Sequence, residues 1–193
     1  MPFERLFIAI PLPVSLREEL ETLYEPVRSI AWVRPAQLHL TLRFVGDVDA
    51  SLSEPIETAL ARVQVEPFLL TLTGIGAFPP RGAARVIWVG IGESHPRLNQ
   101  LRQQIDDALL GTGFPLDVRI FHPHVTLGRV RSDASPGAAI EFLKRHRAFT
   151  SAPFRAETFQ LCASELHPAG AVHTLRKEFR LAPGFGSFSK YAD

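Results

Sequence analysis

The chain has 193 residues, of which 46% are apolar and 21% are charged, and its formal net charge at pH 7 is +1. These values are typical of a globular domain with a sizeable core, and the small net charge argues against a polybasic nucleic-acid binder. The apolar run at residues 6–14 contains Pro11 and Pro13 and is too short to span a bilayer, so we expect no signal peptide and no membrane anchor.

The spacing of apolar residues predicts a chain of mixed helices and strands. Strict alternation indicates strands, and apolar residues three or four positions apart indicate helices. The predicted strands lie at residues 5–13, 37–46, 68–79, 85–92, 122–130, 154–166 and 173–182. The predicted helices lie at residues 16–26, 54–63, 95–111 and 136–147. Residues 184–193 show no clear period and are expected to form a loose tail.

The two halves of the chain repeat one order of elements. Each half has a helix, a strand that contains a His-x-Thr sequence, a second helix and a pair of strands. The two His-x-Thr elements, at residues 39–41 and 124–126, are 85 positions apart, close to half of the chain. This repetition predicts a single α+β domain over residues 1–193, with two pseudo-symmetric lobes around a central cleft. Each lobe is expected to have an antiparallel sheet and flanking helices.

Both His-x-Thr strands carry residues suited to acid–base chemistry. Alternate side chains of a strand share a face, so His39, Thr41 and Arg43 should point one way, and His124 and Thr126 should share a face of their own strand. Two imidazoles allow one neutral and one protonated ring between roughly pH 5 and 8, which provides a base and an acid for phosphoryl transfer. The threonine hydroxyls are placed to hydrogen-bond the non-bridging oxygens of a phosphate.

Arginines near these strands are candidate phosphate ligands. Arg129 could neutralise the charge that develops on a phosphate, although strict alternation turns it away from the histidine of its strand. Gly128 just before it could permit a β-bulge that turns Arg129 into the cleft. Arg43 is a candidate for contacting RNA phosphates. Phe44 and Trp88 are expected to be core residues more readily than surfaces that stack on a base.

The paired sequences His39-Leu40-Thr41-Leu42 and His124-Val125-Thr126-Leu127, with Arg129 after the second, resemble those of the two-histidine phosphoesterase superfamily. The likeness is to its RNA 2′,3′-cyclic phosphodiesterase branch, historically called 2′-5′ RNA ligases. It extends from "RLFIAIPLP" near the start of the chain to "LCASELHPAGAVHTL" near its end. One departure is His173, because members of this family commonly carry an aromatic residue there, usually Tyr.

The resemblance implies hydrolysis of a terminal RNA 2′,3′-cyclic phosphate to a 2′-phosphate without a metal or a cofactor. It also implies a weak reverse reaction that joins such an end to a 5′-hydroxyl through a 2′-5′ bond. By analogy, His39 is assigned as the proton donor to the departing 3′-oxygen and His124 as the proton acceptor that activates water. The residues expected to bind the phosphate or the substrate are Thr41, Thr126, Arg129 and Arg43.

The expected partners are RNA ends with a 2′,3′-cyclic phosphate, including tRNA fragments and cyclic nucleotides. Nothing in the sequence indicates an obligate dimer, so we expect a monomer. The single cysteine, Cys162, cannot form an intramolecular disulfide and fits a reducing cytoplasm. Its apolar neighbours predict a small core residue rather than a nucleophile.

Two other functions remain open from the residues alone. His122 and His124, separated by Pro123, could both bind one metal ion in a metal-dependent phosphohydrolase. Such a site usually needs a third ligand, and Asp117 is the nearest carboxylate on the N-terminal side. A nucleotide- or RNA-binding module without turnover is the other alternative, although binding alone does not require paired imidazoles.

Overall fold

The computed structural model of the chain describes residues 3–92, 95–131, 136–167 and 170–182, so the predicted tail at 184–193 lies outside the described residues. Its strands are β1 (Phe3–Pro11), β2 (Ile30–Trp32), β3 (His39–Asp49), β4 (Phe68–Leu70), β5 (Leu72–Phe78), β6 (Val86–Ile91), β7 (His124–Val130), β8 (Phe154–Ala156), β9 (Thr158–His167) and β10 (Gly170–Arg180). Its helices are α1 (Val14–Glu21), α2 (Ser53–Leu60), α3 (Pro96–Leu110) and α4 (Pro136–His146). The predicted α+β class is confirmed.

The main sheet has the strand order β10-β9-β1-β3-β7-β6-β5, with β2 paired to β7, and its neighbouring strands are antiparallel. Strands β3 and β7 join the two sides of this sheet. The strands do not divide by halves of the chain as the repetition predicts. Late strands β9 and β10 lie beside β1, and early strand β2 lies beside β7. The alternation of residues along a strand does not indicate which distant strand it pairs with, so this order could not be predicted. Strands β4 and β8 form a separate two-stranded sheet.

The helices cover the sheet with apolar side chains. Helix α3 packs against α2 and β3, and it buries Leu98, Leu101, Ile105 and Leu109, which recur at helical spacing. Helix α4 contacts β5. Trp32 of β2 lies between Tyr24 and Phe142, with ring centroids 4.8 and 5.0 Å away, so aromatic packing fixes β2 beside β7. Among the described helices, we find none with the length and apolar content needed to cross a bilayer.

Strand β3 contains a β-bulge directly after its His-x-Thr sequence. Thr41 and Arg43 pair with consecutive residues of β1, so Leu42 has no partner of its own on that strand. The extra residue reverses the alternation of side chains. Leu42 and Arg43 are both buried, whereas Phe44 is 56% exposed and lies on the face of His39 and Thr41. The predictions that Arg43 shares the face of His39 and that Phe44 is a core residue are therefore wrong.

Strand β7 contains an equivalent irregularity. Thr126 and Gly128 pair with consecutive residues of β6, so Leu127 is the extra residue, and Arg129 returns to the face of Thr126. Gly128 also permits the close approach of β2, because a Cβ at this position would lie 2.9 Å from the indole of Trp32. A side chain there would force β2 and β7 apart.

Candidate active site

Four polar side chains meet on one face where β3 and β7 adjoin. The register of the single residue pair between these strands puts His39 opposite Thr126 and Thr41 opposite His124. All four side chains are half-buried, while the residues between them are buried on the other face. The two His-x-Thr elements therefore form one compact cluster, which is the candidate active site.

The two histidines are held by the same type of hydrogen bond. Nδ1 of His39 lies 2.7 Å from the carbonyl oxygen of Gln37, and Nδ1 of His124 lies 2.7 Å from the carbonyl oxygen of His122. A carbonyl oxygen only accepts hydrogen bonds, so Nδ1 must carry the proton in both rings. In both residues Nε2 is therefore the nitrogen available to exchange a proton with a bound molecule.

Burial changes the proton affinity of both rings. It lowers the pKa of His39 to about 4, and nearby positive charge on His173 and His124 acts in the same direction. The pKa of His124 is also lowered, mainly by burial and then by the charge of His122. At neutral pH the free protein therefore holds both imidazoles predominantly neutral.

A cavity of about 370 Å³ opens on this face of the sheet. His124 is not among its lining residues, although His39 and both threonines are. The polar residues that line it are Arg5, Arg34, Gln37, His39, Thr41, Thr126, Arg129, Ser164 and His173. No acidic side chain of the described residues lines it, so the cavity is suited to an anion. A larger groove of about 710 Å³ lies between α2 and α3 and contains none of the predicted site residues.

Aromatic side chains form a wall beside His39. The ring centroid of Phe7 lies 4.9 Å from that of His39 and 6.3 Å from that of Phe44. The His173 ring is 5.1 Å from the His39 ring and approaches it edge to face, so the residue that departs from the family pattern belongs to the cavity wall. Cys162 packs near Phe7, and burial raises the pKa of its thiol to about 11, as expected of a core residue.

A second aromatic wall lies beside His124. The ring of Phe78 is 5.0 Å from the His124 ring, and the indole of Trp88 is 6.2 Å from it. His122 contacts both, at 5.4 Å from Phe78 and 5.0 Å from Trp88. Trp88 is half-buried at the site rather than enclosed in the core, which corrects the prediction from sequence. Its position opposite Thr126 on β6 could have been found only from the strand register.

Arg43 does not lie in the cavity. Its guanidinium is 3.0 Å from Asp106 Oδ1 and 2.9 Å from Asp117 Oδ2, and it donates a hydrogen bond to the carbonyl oxygen of Pro115. Arg102 joins this buried cluster and donates to the carbonyl oxygen of Leu42, the residue without a partner on β1 in the bulge. Arg43 is thus bound to carboxylates behind the sheet, so its prediction as a substrate-binding residue is wrong.

The same cluster bears on the metal-dependent alternative. Asp117 accepts hydrogen bonds from Arg119, contacts Arg43, and has its pKa lowered mainly by Arg119. It is therefore already paired, and it is not directed at His122 and His124. Within the described ranges, no three His, Cys, Asp or Glu side chains are grouped closely enough to hold a metal ion.

Comparison with known proteins identifies the family. The sequence model of the 2′-5′ RNA ligase superfamily matches residues 12–168. This chain belongs to that superfamily. An RNA 2′,3′-cyclic phosphodiesterase of Archaeoglobus fulgidus is 31% identical over 172 residues, which cover 88% of this chain and 96% of the relative. The resemblance stated from the paired His-x-Thr sequences is confirmed.

Two solved structures agree with the fold described above. A protein of Thermus thermophilus matches with a TM-score of 0.76 and 29% identity, covering 93% of this chain and 99% of that protein. E. coli LigT, crystallised with 3′-AMP, matches with a TM-score of 0.74 and 26% identity, covering 93% and 99% of the two chains. The superfamily likeness therefore extends over nearly the whole chain.

Proposed function

We propose that this chain is an RNA 2′,3′-cyclic phosphodiesterase that hydrolyses a terminal cyclic phosphate to a 2′-phosphate by paired-histidine acid–base catalysis. The observation that carries the proposal is the equal anchoring of His39 and His124 through Nδ1, which leaves the Nε2 atoms of two imidazoles on neighbouring strands free. The name of the A. fulgidus relative and the 3′-AMP complex of LigT support the same substrate class.

The cyclic phosphate would bind between the two His-x-Thr elements. The hydroxyls of Thr41 and Thr126 would donate hydrogen bonds to its non-bridging oxygens, and Arg129 would neutralise charge that develops on them. Arg129 is exposed on the cavity, and no carboxylate of the described chain forms an ion pair with it. Its guanidinium is therefore available to an anionic ligand.

The two histidines would divide the proton transfers. His124 would accept a proton from water at Nε2 as the water oxygen attacks phosphorus, and His39 would donate a proton to the 3′-oxygen as its bond to phosphorus breaks. In the free protein, burial favours the neutral form of His39. The negative charge of a bound phosphate favours the protonated form, so we infer that substrate binding raises the proton affinity of this ring.

The nucleoside of the cyclic end would lie against the aromatic wall beside His39. Phe44 exposes more than half of its surface at this wall, next to Thr41. Aromatic faces stack on bases with little preference for sequence, and Arg5 and Arg34 on the same cavity would contact phosphates further along the RNA. A weak 2′-5′ ligation, in which a 5′-hydroxyl replaces water as the nucleophile, would use the same groups.

The decisive experiment uses an oligonucleotide that ends in a 2′,3′-cyclic phosphate, incubated with the protein in EDTA. We expect a product with a 2′-phosphate, and His39→Ala and His124→Ala proteins that fold but do not form it. Binding without turnover would favour the non-catalytic module. A product with a 3′-phosphate, or turnover restored only by zinc or manganese after chelation, would contradict the proposed mechanism.

A further inference from the structure

The wall beside His124 has no use in hydrolysis alone. Hydrolysis of a cyclic phosphate involves one nucleoside and one water, and the wall of Phe7 and Phe44 already provides a surface for the nucleoside. Nevertheless Phe78 flanks His124 as closely as Phe7 flanks His39, and Trp88 lies 6.2 Å from the His124 ring. Each catalytic histidine thus has an aromatic neighbourhood of its own.

A second cavity, of about 260 Å³, adjoins the wall beside His124. Trp88, Phe121 and His122 line it, and no acidic side chain of the described residues does so. It is separate from the 370 Å³ cavity, since the two share no lining residue. Trp88 belongs both to this second cavity and to the wall that contacts His124. His124 itself lines neither cavity, so the second cavity adjoins the candidate active site through Trp88 and His122, whose rings lie beside that of His124.

The indole of Trp88 is placed by the small residue opposite it. Gly76 of β5 pairs with Trp88 of β6, and a Cβ at Gly76 would overlap the six-membered ring of the indole. The indole therefore lies across the backbone of β5, where any larger residue would displace it. It stays half-buried, so the ring is held at the edge of the cavity rather than within the core.

We propose that the second cavity, with Trp88 as its stacking surface, binds the nucleoside that carries the 5′-hydroxyl when a cyclic end is joined through a 2′-5′ bond. This inference rests on the proposed function and on the role of His124 as the proton acceptor. Attacking and leaving oxygens lie roughly in line in phosphoryl transfer. The 5′-oxygen therefore approaches from the side of His124, and its nucleoside extends beyond that histidine, toward Trp88.

The step needs no further reactant. The 5′-hydroxyl oxygen forms a bond to phosphorus while its proton passes to Nε2 of His124. The bond between phosphorus and the 3′-oxygen breaks, and the 3′-oxygen takes a proton from Nε2 of His39. The product is a 2′-5′ phosphodiester with a free 3′-hydroxyl. Because base stacking on an aromatic ring is tolerant of sequence, the subsite would accept any nucleobase.

The test measures how a cyclic phosphate partitions between two acceptors in one reaction. Adenosine 2′,3′-cyclic phosphate is incubated with increasing adenosine, and the 2′-5′ dinucleotide and the 2′-phosphate are both quantified. The adenosine concentration that half-saturates dinucleotide formation is independent of the amount of folded protein, so a poorly folding variant can still be measured. We expect the rate of dinucleotide formation to saturate with adenosine, and Trp88→Leu to raise the half-saturating concentration roughly 10-fold. Trp88→Phe keeps an aromatic face, so its half-saturating adenosine concentration should lie between those of the parent and of Trp88→Leu.

Two controls separate the alternatives. Methanol has no base, so its partition ratio should be the same in the parent and in Trp88→Leu. Phe44→Leu on the opposite wall should change the KM for the cyclic nucleotide but not the dependence on adenosine.

Three results would overturn the proposal. A rate of dinucleotide formation that rises linearly with adenosine in both proteins means that no acceptor site exists. A loss confined to hydrolysis of longer cyclic-ended RNA in Trp88→Leu means that the cavity binds the upstream nucleotide instead. Absence of any hydrolysis by the parent protein overturns the proposed function itself and this inference with it, whereas the first two results leave the proposed function intact.

Discussion

Leu40 of β3 pairs with Val125 of β7, and in the part of the chain that the structure describes this is the one position at which the two strands pair. Both side chains are fully buried. Each lies between the histidine and the threonine of its own strand, so the pair holds the four polar side chains together on the opposite face. The relative position of the two imidazoles thus depends on the apolar packing behind them.

We expect Leu40→Ala to lower the free energy of unfolding by about 2–5 kcal/mol, because it removes a large side chain from a fully buried position. Denaturant unfolding measures this change. Leu69→Ala is the matched control, since Leu69 is also in a strand but is 56% exposed, and it should change the free energy by less than about 0.5 kcal/mol. Equal effects of the two substitutions would contradict the structural role given to Leu40.

Alternation in the sequence predicts the shared face of His39 and Thr41 because both residues precede the bulge of β3. It fails at Arg43 and Phe44, because one extra residue exchanges the faces of the residues between it and the second register shift, which follows Phe44. The residues around this bulge include no glycine or proline that would mark it. In β7 the extra residue is next to Gly128, and this glycine made a bulge a reasonable prediction there. Strand β3 has no such residue beside its bulge.

The position of β1 could not be predicted for a different reason. Its residues are apolar on both faces, since Phe7 faces the cavity while Leu6 and Ile8 face the core. A strand buried on both faces has no polar side that indicates its orientation. For this reason Arg5, two positions before Phe7 and on the same face, was not identified as a cavity residue. Once Phe7 is known to line the cavity, alternation identifies Arg5 as well.

The roles of the two histidines can be tested with a changed leaving group. A cyclic phosphate with sulphur in place of the 3′-oxygen releases a thiolate, which needs no proton. On the oxygen substrate, His39→Ala and His124→Ala should each lose about 10²- to 10⁴-fold in kcat. On the sulphur substrate, His39→Ala should recover most of its loss and His124→Ala should not. Recovery by His124→Ala instead would exchange the two roles.

The lowered pKa values predict an acidic pH optimum for kcat/KM, which reports the free protein. Catalysis needs one neutral and one protonated ring. The profile depends on the number of protons that the pair of rings holds, and the reactive arrangement, with the proton on His39, is one of the two singly protonated forms. As the pH falls through about 4, both rings become protonated and no base remains. As the pH rises above 6.5, both rings become neutral and no acid remains.

We therefore expect a bell-shaped pH profile of kcat/KM, with an acidic limb near pH 4 and a basic limb below pH 6.5. This range lies at lower pH than the range expected for two histidines with ordinary pKa values. The profile of kcat, which reports the complex, should lie at higher pH because a bound anion favours the protonated rings. Initial rates across this range, at saturating and at low substrate, provide both profiles. A basic limb of kcat/KM above pH 6.5 would show that burial does not control these rings.

Arg43 should matter for stability rather than for binding. It is 7% exposed and contacts Asp106 and Asp117, so Arg43→Met leaves the two buried carboxylates to share Arg102 and should lower the free energy of unfolding by about 3–5 kcal/mol. Arg119→Met is the matched control. Arg119 also contacts Asp117, but it is exposed, so its loss should cost at most about 1 kcal/mol. Similar losses in the two variants would show that the buried cluster does not stabilise the fold.

Arg129 should show the opposite pattern, because it is exposed on the cavity and has no ion pair with a described carboxylate. Arg129→Ala should leave the free energy of unfolding within about 0.5 kcal/mol of the parent value. It should reduce kcat/KM for a cyclic dinucleotide by an amount equivalent to about 2–4 kcal/mol, the usual effect of one transition-state donor. Arg129→Lys keeps the charge but loses the planar guanidinium that binds two phosphate oxygens. Its kcat/KM should therefore lie between the values of the parent and of Arg129→Ala. If Arg129→Ala hydrolysed this substrate as fast as the parent, the anion contact would have to come from the threonines, Arg5 or Arg34.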